Sequence, residues 1–295
     1  MGISRRQFAL TLSAATAAAQ SRRLTAQQVV DLIHKTLQPP PPDTIDGFKA
    51  GDPSTAVTGI ATTAMATMDV LSRAVREKAN LILTLEPVFF NRTDAQAQAP
   101  RASGRGMPGI NPEDPVLIAK NEFIQKNGLV VFRFSDAWRA RKPDPFAAGI
   151  ADTMGWTKYQ AGGEPTRFDL PNMTIGALVD NLAARLKARA GIRVVGDPQT
   201  RIRRVALLPG VSPISAMLKT LPESDLVVAG EVREWESVEY AQDAVAAGQK
   251  KGLVMLGRIV SEDPGMNVCA AWLKTVVPDL PARWLPAGDP YWRPA

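Results

Sequence analysis

Apolar positions along the chain follow two rhythms. Short unbroken runs rich in Val, Ile and Leu fit strands covered on both faces, and longer stretches with an apolar residue every three or four positions fit amphipathic helices. The runs at 57–61, 81–85, 129–134, 192–195, 203–208, 225–229, 253–256 and 283–286 are candidate strands, and 67–78, 114–127, 174–189, 234–247 and 263–276 are candidate helices. Strands alternating with helices predict an α/β fold built on mostly parallel sheet flanked by helices. The stretch "MGWTKYQAGGEPTR" breaks both rhythms and divides the chain into a first lobe at 24–155 and a second at 165–295. A second break, residues 91–115, is rich in Ala, Gly, Pro and polar residues without periodicity, and reads as a mobile lid or a disordered insertion.

The strand ends carry the candidate chemistry. In an open α/β sheet, ligands bind beyond the carboxyl ends of the strands. "LILTL" runs into Glu86 and Pro87, "LVVFRF" into Ser135 and Asp136, "LVVAG" into Glu231, and "LVMLG" into Arg258 and then Glu262. Pro87 cannot donate to a sheet ladder, so the strand should stop at about Glu86. Each acid could instead cap the following helix or sit solvated at a sheet edge. Their recurrence at matching positions points to a shared pocket.

Composition narrows the classes. A chain of 295 residues, 45% hydrophobic and 22% charged, is long enough for two lobes with real cores. Its formal charge of +6 is spread along the sequence without an aromatic-interleaved basic stripe, so nucleic acid is not an expected partner. Residues 1–19 differ from the rest. Arg5 and Arg6 precede Phe8 and a modest apolar run, and Ala17 and Ala19 offer a cleavage site, so this segment resembles a bacterial twin-arginine export signal. The expected mature protein is periplasmic or extracellular, with no membrane anchor. A lone Cys269 at helical apolar spacing reads as a buried small hydrophobe, and the single histidine, His34, reads as a helix-surface residue.

The ordered set "DGFKAGDPSTAVTGIATT", "ANLILTLEPVFF", "NGLVVFRFSDAW", "VALLPG", "DLVVAGEVREWESVEYAQDA", "LGRIVSEDPGM" and "PAGDPYW" resembles the Nif-three-like family, also called GTP cyclohydrolase I type 2-like proteins, over about residues 25 to 292. The resemblance implies two similar α/β lobes, a toroidal homohexamer and a two-metal centre in the cleft, with a loosely defined, hydrolase-like role. The family's T-H-H-P or T-H-E-P stands here as Thr84-Leu85-Glu86-Pro87. The segment bearing its metal-binding aspartate stands as Phe134-Ser135-Asp136, and its late G-H-x-x-S/T-E motif as Gly257-Arg258-Ile259-Val260-Ser261-Glu262. The carboxylates are kept and the imidazole positions are lost.

Imidazole suits zinc and iron, and two ions need more neutral nitrogen donors than this chain has. Glu86, Asp136 and Glu262, with Glu231 and Ser135 nearby in the cleft, could hold one hard ion such as Mg²⁺ or Mn²⁺ weakly. Arg258 projected among them would replace part of the lost ion with a fixed cation. The expectation is therefore an exported protein with no tightly bound cofactor and reduced or absent catalysis, self-associating and open to a small polar ligand. The competing reading is a hydrolase using one hard ion on Glu86, Asp136 and Glu262. Trp138, Trp156, Trp235, Trp284, Tyr291 and Trp292 are candidate interface anchors.

Overall fold

A computed structural model describes residues 23–39, 41–92, 94, 111–188 and 191–291. The expected export signal at 1–19, most of the 91–115 stretch and Trp292 lie outside these residues. The strands are β1 Gly47–Ala50, β2 Ile60–Thr63, β3 Leu81–Thr84, β4 Val130–Arg133, β5 Arg167–Thr174, β6 Arg193–Val195, β7 Arg201–Val211, β8 Leu226–Glu231, β9 Gly252–Met255 and β10 Ala282–Trp284. The helices are α1 Ala26–Lys35, α2 Met68–Arg76, α3 Pro115–Lys126, α4 Asp136–Arg139, α5 Pro145–Met154, α6 Ile175–Leu186, α7 Ile214–Thr220, α8 Glu239–Ala246 and α9 Arg258–Val276. Among the described residues no helix is long and apolar enough to cross a membrane.

Two five-stranded sheets form, in the orders β1-β4-β3-β2-β10 and β5-β7-β8-β9-β6. In the first, β4, β3, β2 and β10 are parallel and β1 is antiparallel at the edge. In the second, β7, β8 and β9 are parallel between antiparallel edges. The expected mostly parallel α/β architecture is what the chain adopts.

Both faces of the central strands are covered. Leu81 and Leu83 enter one core and Ile82 the core on the other face. In the second sheet, Leu226 and Val228 face one core while Val227 and Ala229 face another. Each fully buried aliphatic side chain stabilises the fold by roughly 1.5–3 kcal/mol, which is why unbroken apolar runs mark these strands. The helices that follow are started by local chemistry. Thr67 Oγ1 accepts from Val70 N, Thr174 Oγ1 accepts from Ala177 N, and Asp114 and Asp144 each cap a helix whose first residue is proline.

The structure departs from the sequence reading at several points. β1 and β5 were not expected; both are polar edge strands without a sustained apolar run, and β5 contains Pro171. The last helix was expected from 263, which would put Pro264 near its first turn. It starts instead at Arg258, after Gly257 at φ +86°, and Pro264 lies in its interior. The lobes also interlock across the expected boundary. α5 sends Ala147, Ile150, Ala151 and Met154 into the core of the second sheet, whereas β10, assigned by sequence to the second lobe, pairs with β2 in the first sheet. The α5 and α9 backbones cross at glycines. A Cβ on Gly149 would stand 2.4 Å from the carbonyl carbon of Pro264, and one on Gly265 would stand 2.4 Å from the Phe146 ring.

Aromatic residues divide accordingly. Trp138 and Trp156 plug the protein's own cores, so they are not interface anchors, and Trp284 is half-buried within β10. Trp235 and Tyr291 are exposed. Cys269 is fully buried as expected, and burial pushes its thiol pKa up. His34 is half-buried rather than on the surface, with its ring centroid 6.0 Å from that of Phe132.

Candidate functional site

β3 and β4 run parallel in a register that pairs Thr84 with Arg133, so Glu86 and Ser135 leave the first sheet side by side. Glu86 is tied down by its amide, which donates to Ala64 O at 2.9 Å, and its side chain is turned into the structure. This decides between the two sequence readings: Glu86 is not a solvated edge charge. From the second sheet, α9 follows β9 and presents Arg258 and Glu262, one turn apart, to the same place. The site lies where the carboxyl ends of strands from the two sheets meet.

Two guanidinium groups hold the two glutamates. Glu86 Oε1 accepts from Arg139 Nη2 at 2.9 Å and from Arg258 Nη2 at 2.7 Å. Arg139 Nη1 donates to Glu262 Oε1, and Arg258 Nε stands 3.6 Å from Glu262 Oε2. Glu262 is completely buried, so it is neither a helix cap nor a solvated acid. Room for it comes from Gly210, at φ +73°, where a Cβ would come within 2.3 Å of Glu262 Oε1. Gly210 itself is fixed by its amide, which donates to Ser261 Oγ at 3.0 Å.

Arg139 was missed in the sequence, although it carries the densest contacts of the site. Its signal is faint: it lies four residues after Ser135 on the single turn of α4, and its Nε donates to Ser135 Oγ at 3.3 Å. Ser135 is buried and helps aim that guanidinium. Asp136 does not join the cluster. Its Oδ2 accepts from Thr44 Oγ1 and Ile45 N, both at 3.0 Å. Asp46 in turn accepts from the amides of Ser135, Asp136 and Ala137 at 2.6, 2.8 and 2.9 Å, so two segments latch reciprocally and draw Asp136 away. Glu231 is exposed at the end of β8, where its carbonyl accepts from Ser212 N at 3.0 Å, and it takes no part in the ion-pair cluster.

Burial raises the pKa of Glu86, against the pull of Arg258; Glu262 pushes it further up, while Arg139 and Arg133 oppose. A carboxyl with a higher pKa in the folded than in the unfolded chain holds its proton more tightly when folded. The stability it contributes is complete below the unfolded value and is lost as pH rises through the folded one. Glu86→Gln, which cannot titrate, should therefore flatten the fall of unfolding free energy with pH, followed by urea denaturation between about pH 4 and 7. An unchanged slope would show that Glu86 is not the group responsible.

The residues do not fit the two-metal centre implied by the sequence resemblance. Leu85 is an aliphatic side chain in the core, Ser135 is bonded to Arg139, and Arg258 is itself a cation. Both glutamates already accept from arginine, and Asp136 is committed to Thr44 and Ile45. Among the described residues no group of three or more His, Cys, Asp or Glu side chains is placed to hold a metal ion. Of the expected trio, the structure brings Glu86 and Glu262 together through guanidinium and holds Asp136 apart.

Two interlocked five-stranded sheets flanked by helices give this chain the fold of the Nif-three-like proteins. Solved structures of similar fold include the Staphylococcus aureus hypothetical protein SA1388, at 14% identity, TM-score 0.63, covering 92% of this chain and 100% of that one. A Bacillus cereus protein related to NIF3 matches with the same identity, TM-score and coverage. The protein ybgI, of unknown function, matches at 19% identity and TM-score 0.61, over 91% of this chain and 100% of its own. No sequence-family model matches the chain, and no curated protein matches it.

Proposed function

We propose that this chain is a divergent Nif-three-like protein whose inter-lobe cleft has exchanged metal chemistry for a fixed arginine and carboxylate lattice. On this reading it is a binding protein for a small polar ligand, with catalysis reduced or absent. The observation that carries it is the bridging of Glu86 and Glu262 by Arg139, with Arg258 bonded to the same Glu86 oxygen. The arginine side chains keep about a third of their surface exposed, 31% and 38%, so each has donors left to meet a polar group arriving from solvent. The competing hydrolase reading needs Asp136 to leave Thr44 and Ile45 and both guanidinium groups to withdraw. Export through the twin-arginine route and assembly into a homohexamer belong to the same proposal; an unprocessed, monomeric cytoplasmic chain would remove them.

Arg258→Ala tests the lattice. Removing this cation exposes Glu86 to Glu262 and frees one face of each carboxylate, so the variant should bind Mn²⁺ more tightly than the parent in calorimetric titration. It should also lose about 1–3 kcal/mol of metal-free stability, the scale for a lost charge-assisted partner. Equal, weak responses from both proteins, with unchanged stability, would show that Arg258 does not govern the carboxylates.

A further inference from the structure

On the side of α9 roughly opposite Arg258 and Glu262, the structure contains a cavity of about 380 Å³ between the ends of α5 and α6 and the segment after β10. We propose that this cavity is a second ligand site, for a small molecule with a planar apolar body and a carboxylate. The inference is independent of what the arginine lattice does.

The walls supply the apolar half. Leu186, Val260, Pro264, Pro286 and the Trp284 indole line the space, which falls in the range of about 300–1,000 Å³ typical of small-molecule sites. Its floor is rigid. Asp263 Oδ1 accepts from Ala64 N at 3.1 Å and Trp284 Nε1 at 3.2 Å, and Oδ2 accepts from Ala287 N at 2.8 Å. These donors hold the indole and bond both carboxyl oxygens of Asp263, the buried acid in the lining, and burial further disfavours its charged form. The other lining acid, Asp289, accepts from Tyr291 N at 3.0 Å.

The cations supply the polar half. Arg185 and Lys187 line the cavity from the end of α6 and are exposed; Arg185 Nη1 donates to Thr153 O at 3.3 Å and leaves further guanidinium donors for a ligand. Lys187 closes that helix in the left-handed region, at φ +56°, a position that glycine fills without strain. Lys187 carries its ammonium on a flexible four-carbon stem from the cavity wall, within reach of an anion seated there. An aromatic ring between Trp284 and Pro264, with its carboxylate toward Arg185 and Lys187, satisfies both halves.

The test is titration calorimetry of the full chain with 1-naphthoate and with its neutral analogue, 1-naphthalenemethanol. The proposal expects one saturable site per chain for the acid and at least about tenfold weaker binding of the alcohol. Lys187→Gly, which removes the charge and relieves the backbone, should keep the fold and weaken the acid by a similar factor. Arg185→Glu combined with Lys187→Glu should abolish binding. Absence of saturable binding, equal binding of acid and alcohol, or a Lys187→Gly protein with unchanged affinity would each overturn the proposal.

Discussion

Arg139→Ala is expected to destabilise the folded chain by roughly 3–5 kcal/mol, the scale for breaking a buried ion pair and leaving charge behind. The size follows from what the guanidinium joins. It donates through Nη1 to Glu262, which is completely buried, and through Nη2 to Glu86, which is nearly so. Arg258 remains, but its Nε lies 3.6 Å from Glu262 Oε2, too far for a good hydrogen bond, so Glu262 would be left without a short donor. Arg139→Lys should rescue only part of the loss. An ammonium is a point charge and cannot reproduce the planar fork that reaches two carboxylates at once. Urea denaturation of the two variants against the parent checks the claim, and an alanine variant within 1 kcal/mol of the parent, about the worth of an exposed surface pair, would contradict it.

The second large effect belongs to Asp263. Alanine there orphans the amides of Ala64 and Ala287 and the indole Nε1 of Trp284, each at a cost of roughly 1–3 kcal/mol when buried. The loss should be local before it is global. Asp263 joins α9 to the end of β2 and to the segment after β10; Ile60 N donates to Pro281 O, just before β10, at 2.8 Å, and Leu285 N, just after it, donates to Thr62 O at 2.9 Å. Amide hydrogen exchange at Leu285 should therefore quicken in Asp263→Ala more than exchange at Val228 in the centre of the second sheet. Uniform acceleration across both sheets would show that Asp263 does not specifically hold β10. Burial also raises the pKa of Asp263, against hydrogen bonds led by that from Trp284, so ionising it costs folded stability as pH rises, in the same sense as Glu86.

The central strands were legible because they are buried on both faces. β3, β4, β8 and β9 read as unbroken apolar runs, and the same strand-end signal marks Glu86, Ser135, Arg258 and Glu262, which the fold brings together, and Asp136 and Glu231, which it does not. The edges were not legible in this way. β1 and β5 carry polar residues toward solvent, and the pairing of β10 with β2 joins residues more than two hundred positions apart, which no local periodicity encodes. Pro264 misled for a physical reason: proline favours a first helical turn, yet here it sits inside a long helix packed against Gly149. At the site, Arg139 and Asp46 escaped notice because their partners are distant in sequence. Arg139 meets Glu262 across 123 positions and Asp46 meets Ala137 across 91. A carboxylate at a strand end is a local signal; the cation that neutralises it is a property of the assembled fold.

The central claim is that guanidinium groups stand where the resemblance would place metal. Elemental analysis by inductively coupled plasma mass spectrometry on the protein, purified without chelator and dialysed, tests it most directly. The account predicts zinc, iron and manganese each far below one ion per chain, and no thermal shift on adding micromolar metal, because stabilisation by a ligand reaches about 2.7 kcal/mol only at a hundredfold excess over Kd. Near-stoichiometric zinc or iron that survives dialysis, and is lost in Glu86→Ala and Glu262→Ala, would contradict it.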